Sequence, residues 1–123
     1  MRPLNILVID DNPGDLRLFQ EAIKESGIPC ELTTALGAAE GLKIVMEKNL
    51  DLIVLDVMMP GMSGYAACNA LKNHSPYKDI PILLLTSREQ EIDSLNWKKM
   101  GIHYLQKPPK PKELLAKIEE IIK

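Results

Sequence analysis

The sequence predicts an α/β domain in which an open parallel sheet carries helices on both faces. Five short apolar runs alternate with stretches whose apolar residues follow helical spacing, so strand and helix alternate five times. Three of the runs are almost entirely Ile, Leu and Val, which is typical of strands buried on both faces of a parallel sheet. With 123 residues, 46% of them hydrophobic, the chain has the length of one ordinary domain.

The strands are expected at the five apolar runs and the helices between them. Gly27 lies near the expected end of the first helix, and Gly37 and Gly41 weaken the second. The runs cover residues 4–9, 31–35, 52–55, 80–85 and 102–105. A third helix is expected at about residues 64–73. The other helices carry Leu16, Phe19, Ala22 and Ile23; Leu42, Ile44, Val45 and Met46; Ile92 and Leu95; and Leu114, Leu115, Ile118, Ile121 and Ile122.

Polar side chains follow four of the five apolar runs, at the points where the strands are expected to end. Carboxyl ends of parallel strands share one edge of the sheet, and ligands bind outside that edge at the topological switch point. We therefore expect three carboxylates, a hydroxyl and an ammonium to converge there. They belong to Asp10 and Asp11 after the first run, Asp56 after the third, Thr86 after the fourth and Lys107 after the fifth.

This set of side chains suits phosphoryl transfer. Clustered carboxylates raise one another's pKa unless a cation lies among them, and oxygen ligands favour Mg²⁺ or Mn²⁺. Lys107 can pair with a phosphoryl oxygen, and Thr86 can donate a hydrogen bond to another. Asp56 then becomes a possible nucleophile at phosphorus, because aspartyl phosphates are a known type of covalent intermediate.

The start of the first helix is expected to direct the acidic pair. Asn12 is a good N-cap, Pro13 suits the first helical position, and Asp15 follows in the first turn. This arrangement determines where Asp10 and Asp11 point.

Four segments resemble the receiver domains of two-component response regulators. They read ILVIDDNPGDLRLF, DLIVLDVMMPGMSGYAA, PILLLTS and YLQKP, in this order across essentially the whole chain. The resemblance implies a flavodoxin-like (βα)5 three-layer sandwich over residues 1–123, with strand order 2-1-3-4-5. The chain departs from the usual family pattern at Pro109, where Phe is common, and at Gly101 to Tyr104, which is one residue short.

The resemblance also implies a role for each matching residue. Asp56 would be the phosphoacceptor and Lys107 the phosphate-binding lysine. Thr86 and Tyr104 would form the switch pair. The Mg²⁺ ligands would be the side chains of Asp10, Asp11 and Asp56 together with the backbone carbonyl of Met58.

The expected function is a phosphoacceptor switch that signals by protein contact and only assists its own phosphorylation and dephosphorylation. The donor would be a sensor histidine kinase or a phosphotransfer protein. The output would be a downstream protein or a homodimer, contacted through the face between Glu89 and Lys123. A stand-alone receiver is expected because no output domain follows the last helix, and a fragment of a larger regulator or hybrid kinase is the alternative.

Two other classes of protein are weighed against this interpretation. Phosphatases of the aspartyl-phosphate type usually carry a second acid two residues after the nucleophile, where this chain has Met58. A flavodoxin-like electron carrier would need a Ser/Thr/Gly-rich phosphate loop after the first strand, where this chain has acids.

Composition limits the partners and the compartment. A net charge of −2 argues against direct nucleic-acid binding, and no apolar run is long enough to span a membrane. Cys30 and Cys68 match no metal or redox motif, so free thiols in a reducing cytoplasm are expected. His74 and His103 lie far apart in the chain and belong to no common motif, so both are expected at the surface or in loops.

Overall fold

The computed structural model describes residues 3–57, 64–73, 77–86, 101–107 and 109–122. Five strands and four helices lie in these ranges, and every predicted strand is confirmed to within two residues. The helix expected around Ile92 lies outside the described residues. In chain order the elements are β1 (Leu4–Ile9), α1 (Pro13–Ser26), β2 (Cys30–Ala35), α2 (Ala38–Glu47), β3 (Leu52–Asp56), α3 (Gly64–Lys72), β4 (Ile82–Thr86), β5 (Ile102–Gln106) and α4 (Pro111–Ile122).

The strands form one parallel sheet with the order β2-β1-β3-β4-β5, which confirms the flavodoxin-like prediction. Ile9 at the end of β1 pairs with Leu55 of β3, and Asp56 pairs with Leu85 of β4. At the far side, Thr86 pairs with Gln106 of β5. The carboxyl ends of four strands are therefore level, and the residues that follow them meet at one edge of the sheet.

Successive residues of each strand bury on opposite faces of the sheet, which gives the domain two cores. Ile9 and Leu55 pack in the core that α2 and α3 cover, whereas Val8 and Val54 pack in the core that α1 and α4 cover. This double burial explains why β1, β3 and β4 are nearly continuous apolar runs. The α1 stripe is confirmed, since Leu16, Phe19, Ala22 and Ile23 are all buried.

Two helices bury only some of the apolar residues that the sequence assigns to them. In α2 the buried residues are Ala38, Gly41 and Val45, while Met46 is 72% exposed. In α4 only Leu114 and Ile118 are buried, and Ile122 is 41% exposed. Each helix packs on the sheet along one line of contact, so apolar residues at the margins of the stripe remain at the surface.

Gly41 has a packing role that its low helix propensity conceals. A Cβ atom built on it would overlap the side chain of Ile9, with Cγ1 at 2.6 Å. The absence of a side chain therefore lets α2 lie directly on the end of β1, next to Asp10.

Across the part of the chain that the structure describes, no helix combines the length and the apolar character needed to cross a bilayer.

Candidate functional site

The first turn of α1 places the acidic pair at the end of β1. Asn12 has an extended backbone, with φ −102° and ψ 112°, and Pro13 occupies the first helical position. The Asn12 side chain accepts hydrogen bonds from the backbone N–H groups of Gly14 at 2.8 Å and Asp15 at 3.3 Å. The predicted N-cap is therefore confirmed, and α1 begins directly behind Asp10 and Asp11.

Three polar side chains are buried at this edge of the sheet. Within the described residues, Asp10, Asp56 and Thr86 make up the whole set of buried polar or charged side chains, at 1%, 5% and 1% exposure. Oδ1 of Asp10 accepts a hydrogen bond from the backbone N–H of Asn12 at 3.0 Å. Buried carboxylates are costly unless charge or hydrogen bonds compensate them, so this concentration marks a functional site.

Three carboxylates lie close enough together to share a cation. Asp10, Asp11 and Asp56 each offer an oxygen, and these oxygens all lie within 4.8 Å of one another. Asp11 is exposed while the other two are buried, so the cluster opens to solvent on one side. Carboxylate oxygens with room for water fit Mg²⁺. Met58, whose carbonyl the family resemblance implies as a further ligand, lies outside the described residues.

Lys107, which follows the edge strand β5, contacts the acids with its side chain. Its Nζ lies 2.8 Å from Oδ2 of Asp10, 2.9 Å from Oδ2 of Asp15 and 3.1 Å from Oδ1 of Asp56. Its backbone N–H donates to the carbonyl of Thr86 at 2.9 Å, which anchors the residue to the end of β4. Burial by itself would lower the pKa of the Lys107 ammonium, but the hydrogen bonds to the three acids outweigh it and hold that pKa above its usual value.

Asp15 is a site residue that the sequence interpretation missed. It was placed only in the first turn of α1, yet its carboxylate contacts Lys107 as closely as Asp10 does. The available signal was its position: the first turn of a helix that starts at the active edge of the sheet also faces that edge.

Thr86 and Tyr104 lie on neighbouring strands. Oγ1 of Thr86 donates a long hydrogen bond of 3.5 Å to the carbonyl of Leu105 on β5. Tyr104 pairs with Leu84 in the ladder and is 37% exposed, and Nζ of Lys117 lies 6.0 Å from its ring centroid. The hydroxyl of Thr86 is thus engaged toward β5, and the ring of Tyr104 lies at the surface.

The side chain of Lys107 can be reached from solvent. A cavity of about 210 Å³ opens beside it, between the start of α1 and the segment after β5. The cavity is lined by Asp10, Asp15, Leu18, Phe19, Leu85, Lys107 and Pro109.

The two cysteines do not belong to the site. Burial raises the pKa of the Cys68 thiol to about 11 and also raises that of Cys30, and both thiols are free. His103 was expected at the surface or in a loop; it lies instead within β5 and is half-buried. His74 lies outside the described residues.

Comparison with known proteins agrees with this geometry. The family model described as the response regulator receiver domain matches residues 6–119. The transcriptional regulatory protein YvrH of Bacillus subtilis is 36% identical over 100% of this chain and 51% of its own length. Protein PilG of Pseudomonas aeruginosa is 32% identical over 94% of this chain and 85% of its own length. The chain thus spans about half the length of some relatives and most of another.

A solved structure has the same fold. The chemotaxis protein CheY4 of Vibrio cholerae superposes with a TM-score of 0.82 and 28% identity, covering 97% of this chain and 98% of that one. The sequence matches, the shared fold and the cluster of acids at the edge of the sheet all indicate the same family. The chain therefore belongs to the response regulator receiver domains, the phosphoacceptor switches of two-component signalling.

Proposed function

We propose that residues 1–123 form one receiver domain that accepts a phosphoryl group on Asp56 in a Mg²⁺-dependent reaction. The observation that carries the proposal is the environment of Asp56. Its carboxylate shares a cluster with those of Asp10 and Asp11 and lies 3.1 Å from the Lys107 ammonium. A nucleophilic carboxylate, further acids for a divalent cation and one cation for the phosphoryl group are the parts that this reaction needs.

Each residue has a defined task in the transfer. An oxygen of Asp56 forms a bond to phosphorus while the bond from phosphorus to the donor's leaving group breaks. Lys107 neutralises one phosphoryl oxygen and Thr86 donates a hydrogen bond to another. Asp10 and Asp11, with Asp56 and the carbonyl of Met58, would hold Mg²⁺, which supplies charge neutralisation for the transferring group.

The signal would begin at Thr86. A phosphoryl oxygen offers its hydroxyl a stronger acceptor than the carbonyl of Leu105, which lies 3.5 Å away. As Thr86 turns toward Asp56, Tyr104 moves from the surface into the space beside β4. The equilibrium between two arrangements of these side chains would carry the state of Asp56 to the surface.

The partners follow from the same scheme. The donor is a sensor histidine kinase or a phosphotransfer protein, and the output is a downstream protein or a second copy of the chain. Contact is made through the face between Glu89 and Lys123, whose described parts are β5 and α4. The chain acts in the cytoplasm, and binds neither nucleic acid nor membrane directly.

Mass spectrometry after incubation with acetyl phosphate and Mg²⁺ tests the proposal. The wild type should gain the mass of one phosphoryl group, and Asp56→Asn should gain none. Asp79→Asn, which removes an exposed carboxylate of the described chain, is the matched control and should label like the wild type. Full labelling of Asp56→Asn would refute the assignment. The absence of turnover on p-nitrophenyl phosphate would separate a self-labelling switch from a phosphatase.

A further inference from the structure

The ammonium of Lys107 has three hydrogen-bond donors and three carboxylate partners. The acceptors are Asp10, Asp15 and Asp56, at distances of 2.8, 2.9 and 3.1 Å from Nζ. All three donors are therefore engaged by carboxylates. A lysine that must bind a phosphoryl oxygen has to release at least one of these acids.

The three acids are not equivalent. Asp10 and Asp56 belong to the group whose oxygens lie within 4.8 Å of one another, together with Asp11, whereas Asp15 falls outside that group. Asp10 and Asp56 are also nearly fully buried, while the side chain of Asp15 is 37% exposed. Two partners of Lys107 are thus candidate metal ligands, and the third is not.

Asp15 is held in place independently of the cluster. Its backbone N–H donates to the side chain of Asn12, and its carboxylate lies at the positive end of α1. Because Asn12 performs the capping, the Asp15 carboxylate remains available to Lys107 whether or not a cation occupies the acids.

We propose that Asp15 is a positioning residue that retains Lys107 at the mouth of the site while Asp10 and Asp56 turn to the divalent cation. This inference rests on the proposed function and deepens it. Without Asp15, Lys107 would depend on Asp10 and Asp56 alone, and a cation that binds there would compete with it for those two carboxylates. Asp15 therefore lowers the competition between lysine and Mg²⁺ for the same carboxylates, and it keeps the ammonium within reach of the phosphoryl group.

The effect must be separated from simple loss of negative charge, which would also weaken cation binding. A double-mutant cycle makes the distinction, because an effect that acts through Lys107 disappears when Lys107 is absent. We would measure Mg²⁺ affinity by isothermal titration calorimetry at about 0.15 M salt, where the Debye length of about 8 Å limits long-range attraction. The proteins are the wild type, Asp15→Ala, Lys107→Ala and the double variant, with Glu21→Gln as a matched loss of charge elsewhere on α1.

Asp15→Ala should weaken Mg²⁺ binding several-fold in the wild-type background and by less than twofold in the Lys107→Ala background. Glu21→Gln should change it by less than twofold, and Asp15→Glu should restore most of the affinity. Asp15→Asn serves if the alanine variant unfolds, because it keeps the size of the side chain and removes the charge. Equal weakening in both backgrounds, or none in either, would overturn the inference.

A second measurement follows Lys107 itself. In protein with ¹⁵N-labelled lysine, loaded with Mg²⁺ and beryllofluoride, the ammonium resonance missing from Lys107→Ala identifies this residue. It should be observed in the wild type and broadened beyond detection in Asp15→Ala; equal resonances would count against Asp15. Phosphorylation of the wild type by acetyl phosphate and Mg²⁺ is scored by mass spectrometry in portions of the same preparations taken before beryllofluoride is added. If Asp56 is phosphorylated but the double-mutant cycle shows no coupling between Asp15 and Lys107, only the role of Asp15 is refuted. If Asp56 is not phosphorylated, the proposed function is refuted.

Discussion

Nζ of Lys107 lies 2.8 Å from Oδ2 of Asp10, although 97 positions separate the two residues in the chain. In the sheet, β3 and β4 lie between the strands that precede them, so the lysine side chain extends across the ends of both. It passes Asp56 on the way, at 3.1 Å. The ammonium therefore neutralises the same carboxylates that would hold a divalent cation.

Replacement of Lys107 should separate metal binding from phosphoryl transfer. Lys107→Ala frees Asp10 and Asp56 and removes a competing positive charge, so Mg²⁺ should bind several-fold more tightly while labelling by acetyl phosphate slows at least tenfold. Without metal, Asp10 and Asp56 would be left as buried carboxylates that repel each other, so the free energy of unfolding should fall by about 3–5 kcal/mol. Calorimetry, mass spectrometry and urea unfolding measure the three quantities. Lys112→Ala, an exposed lysine of α4, is the control. Weaker Mg²⁺ binding in Lys107→Ala would contradict this account.

Asp10 and Asp11 should differ in what they do for stability. Both alanine variants are expected to weaken Mg²⁺ binding, since each removes a carboxylate ligand. Asp11 is exposed, so Asp11→Ala should change the free energy of unfolding by less than about 0.5 kcal/mol. Asp10 accepts hydrogen bonds from Asn12 and Lys107, so Asp10→Ala should cost about 1–2 kcal/mol without metal. Unchanged Mg²⁺ titrations in both variants would rule out the site.

Gly41→Ala should destabilise the protein although alanine favours helices. Helix propensity alone predicts a gain of about 1 kcal/mol. The new methyl group would overlap Ile9, however, and overpacking of this kind costs about 1–3 kcal/mol. The control is the same substitution in an Ile9→Ala background, where space is available and the propensity gain should emerge. Urea unfolding of the wild type, the two single variants and the double variant measures these effects. A Gly41→Ala variant more stable than the wild type would show that the contact with Ile9 relaxes without cost.

Cys68 should make the protein sensitive to alkali. Its thiol has a pKa of about 11 in the folded protein against an ordinary value of 9.0, because burial disfavours the thiolate. The unfolded chain then releases the proton first as the pH rises. Stability from this residue is complete below about pH 9 and is lost as the pH rises through 11, by about 3 kcal/mol at most.

The comparison with Cys68→Ala isolates that effect from other groups that titrate in alkali, including Lys107. The variant should be less stable at pH 8, because it leaves a small cavity, and the difference from the wild type should shrink toward pH 11. A difference that stays constant over this range, measured by urea unfolding, would contradict the argument.

The sequence was most informative where burial and chain order dictate structure. Nearly continuous Ile, Leu and Val runs predicted β1, β3 and β4, because short runs of this kind are typical of strands covered on both faces. Asn12 and Pro13 predicted the start of α1 within one residue. The sequence was less informative about which apolar residues of a helix are buried. Met46 and Ile122 are apolar but lie beyond the line of contact with the sheet.

Two features of the site could not be obtained from the chain order. Asp15 looked like a first-turn acid, and its contact with Lys107 depends on the distance between α1 and the segment after β5. From the sequence, Gly41 is a residue of low helix propensity. Its contribution to packing depends on the position of the Ile9 side chain, which only the structure shows. Both are properties of packing between elements that are remote in sequence, which local patterns do not encode.

By itself, the sequence determined the α/β class, the strand ends that carry Asp10, Asp11, Asp56, Thr86 and Lys107, and the expectation that these side chains meet. Those results follow from hydrophobic periodicity and from the geometry of parallel sheets, which are local or generic. Only the tertiary structure decided which partners Lys107 takes, that Asp15 is one of them, and that Thr86 is engaged by Leu105 while Tyr104 lies at the surface. Such choices depend on distances of about 3 Å between side chains, and these are set when helices and strands pack together.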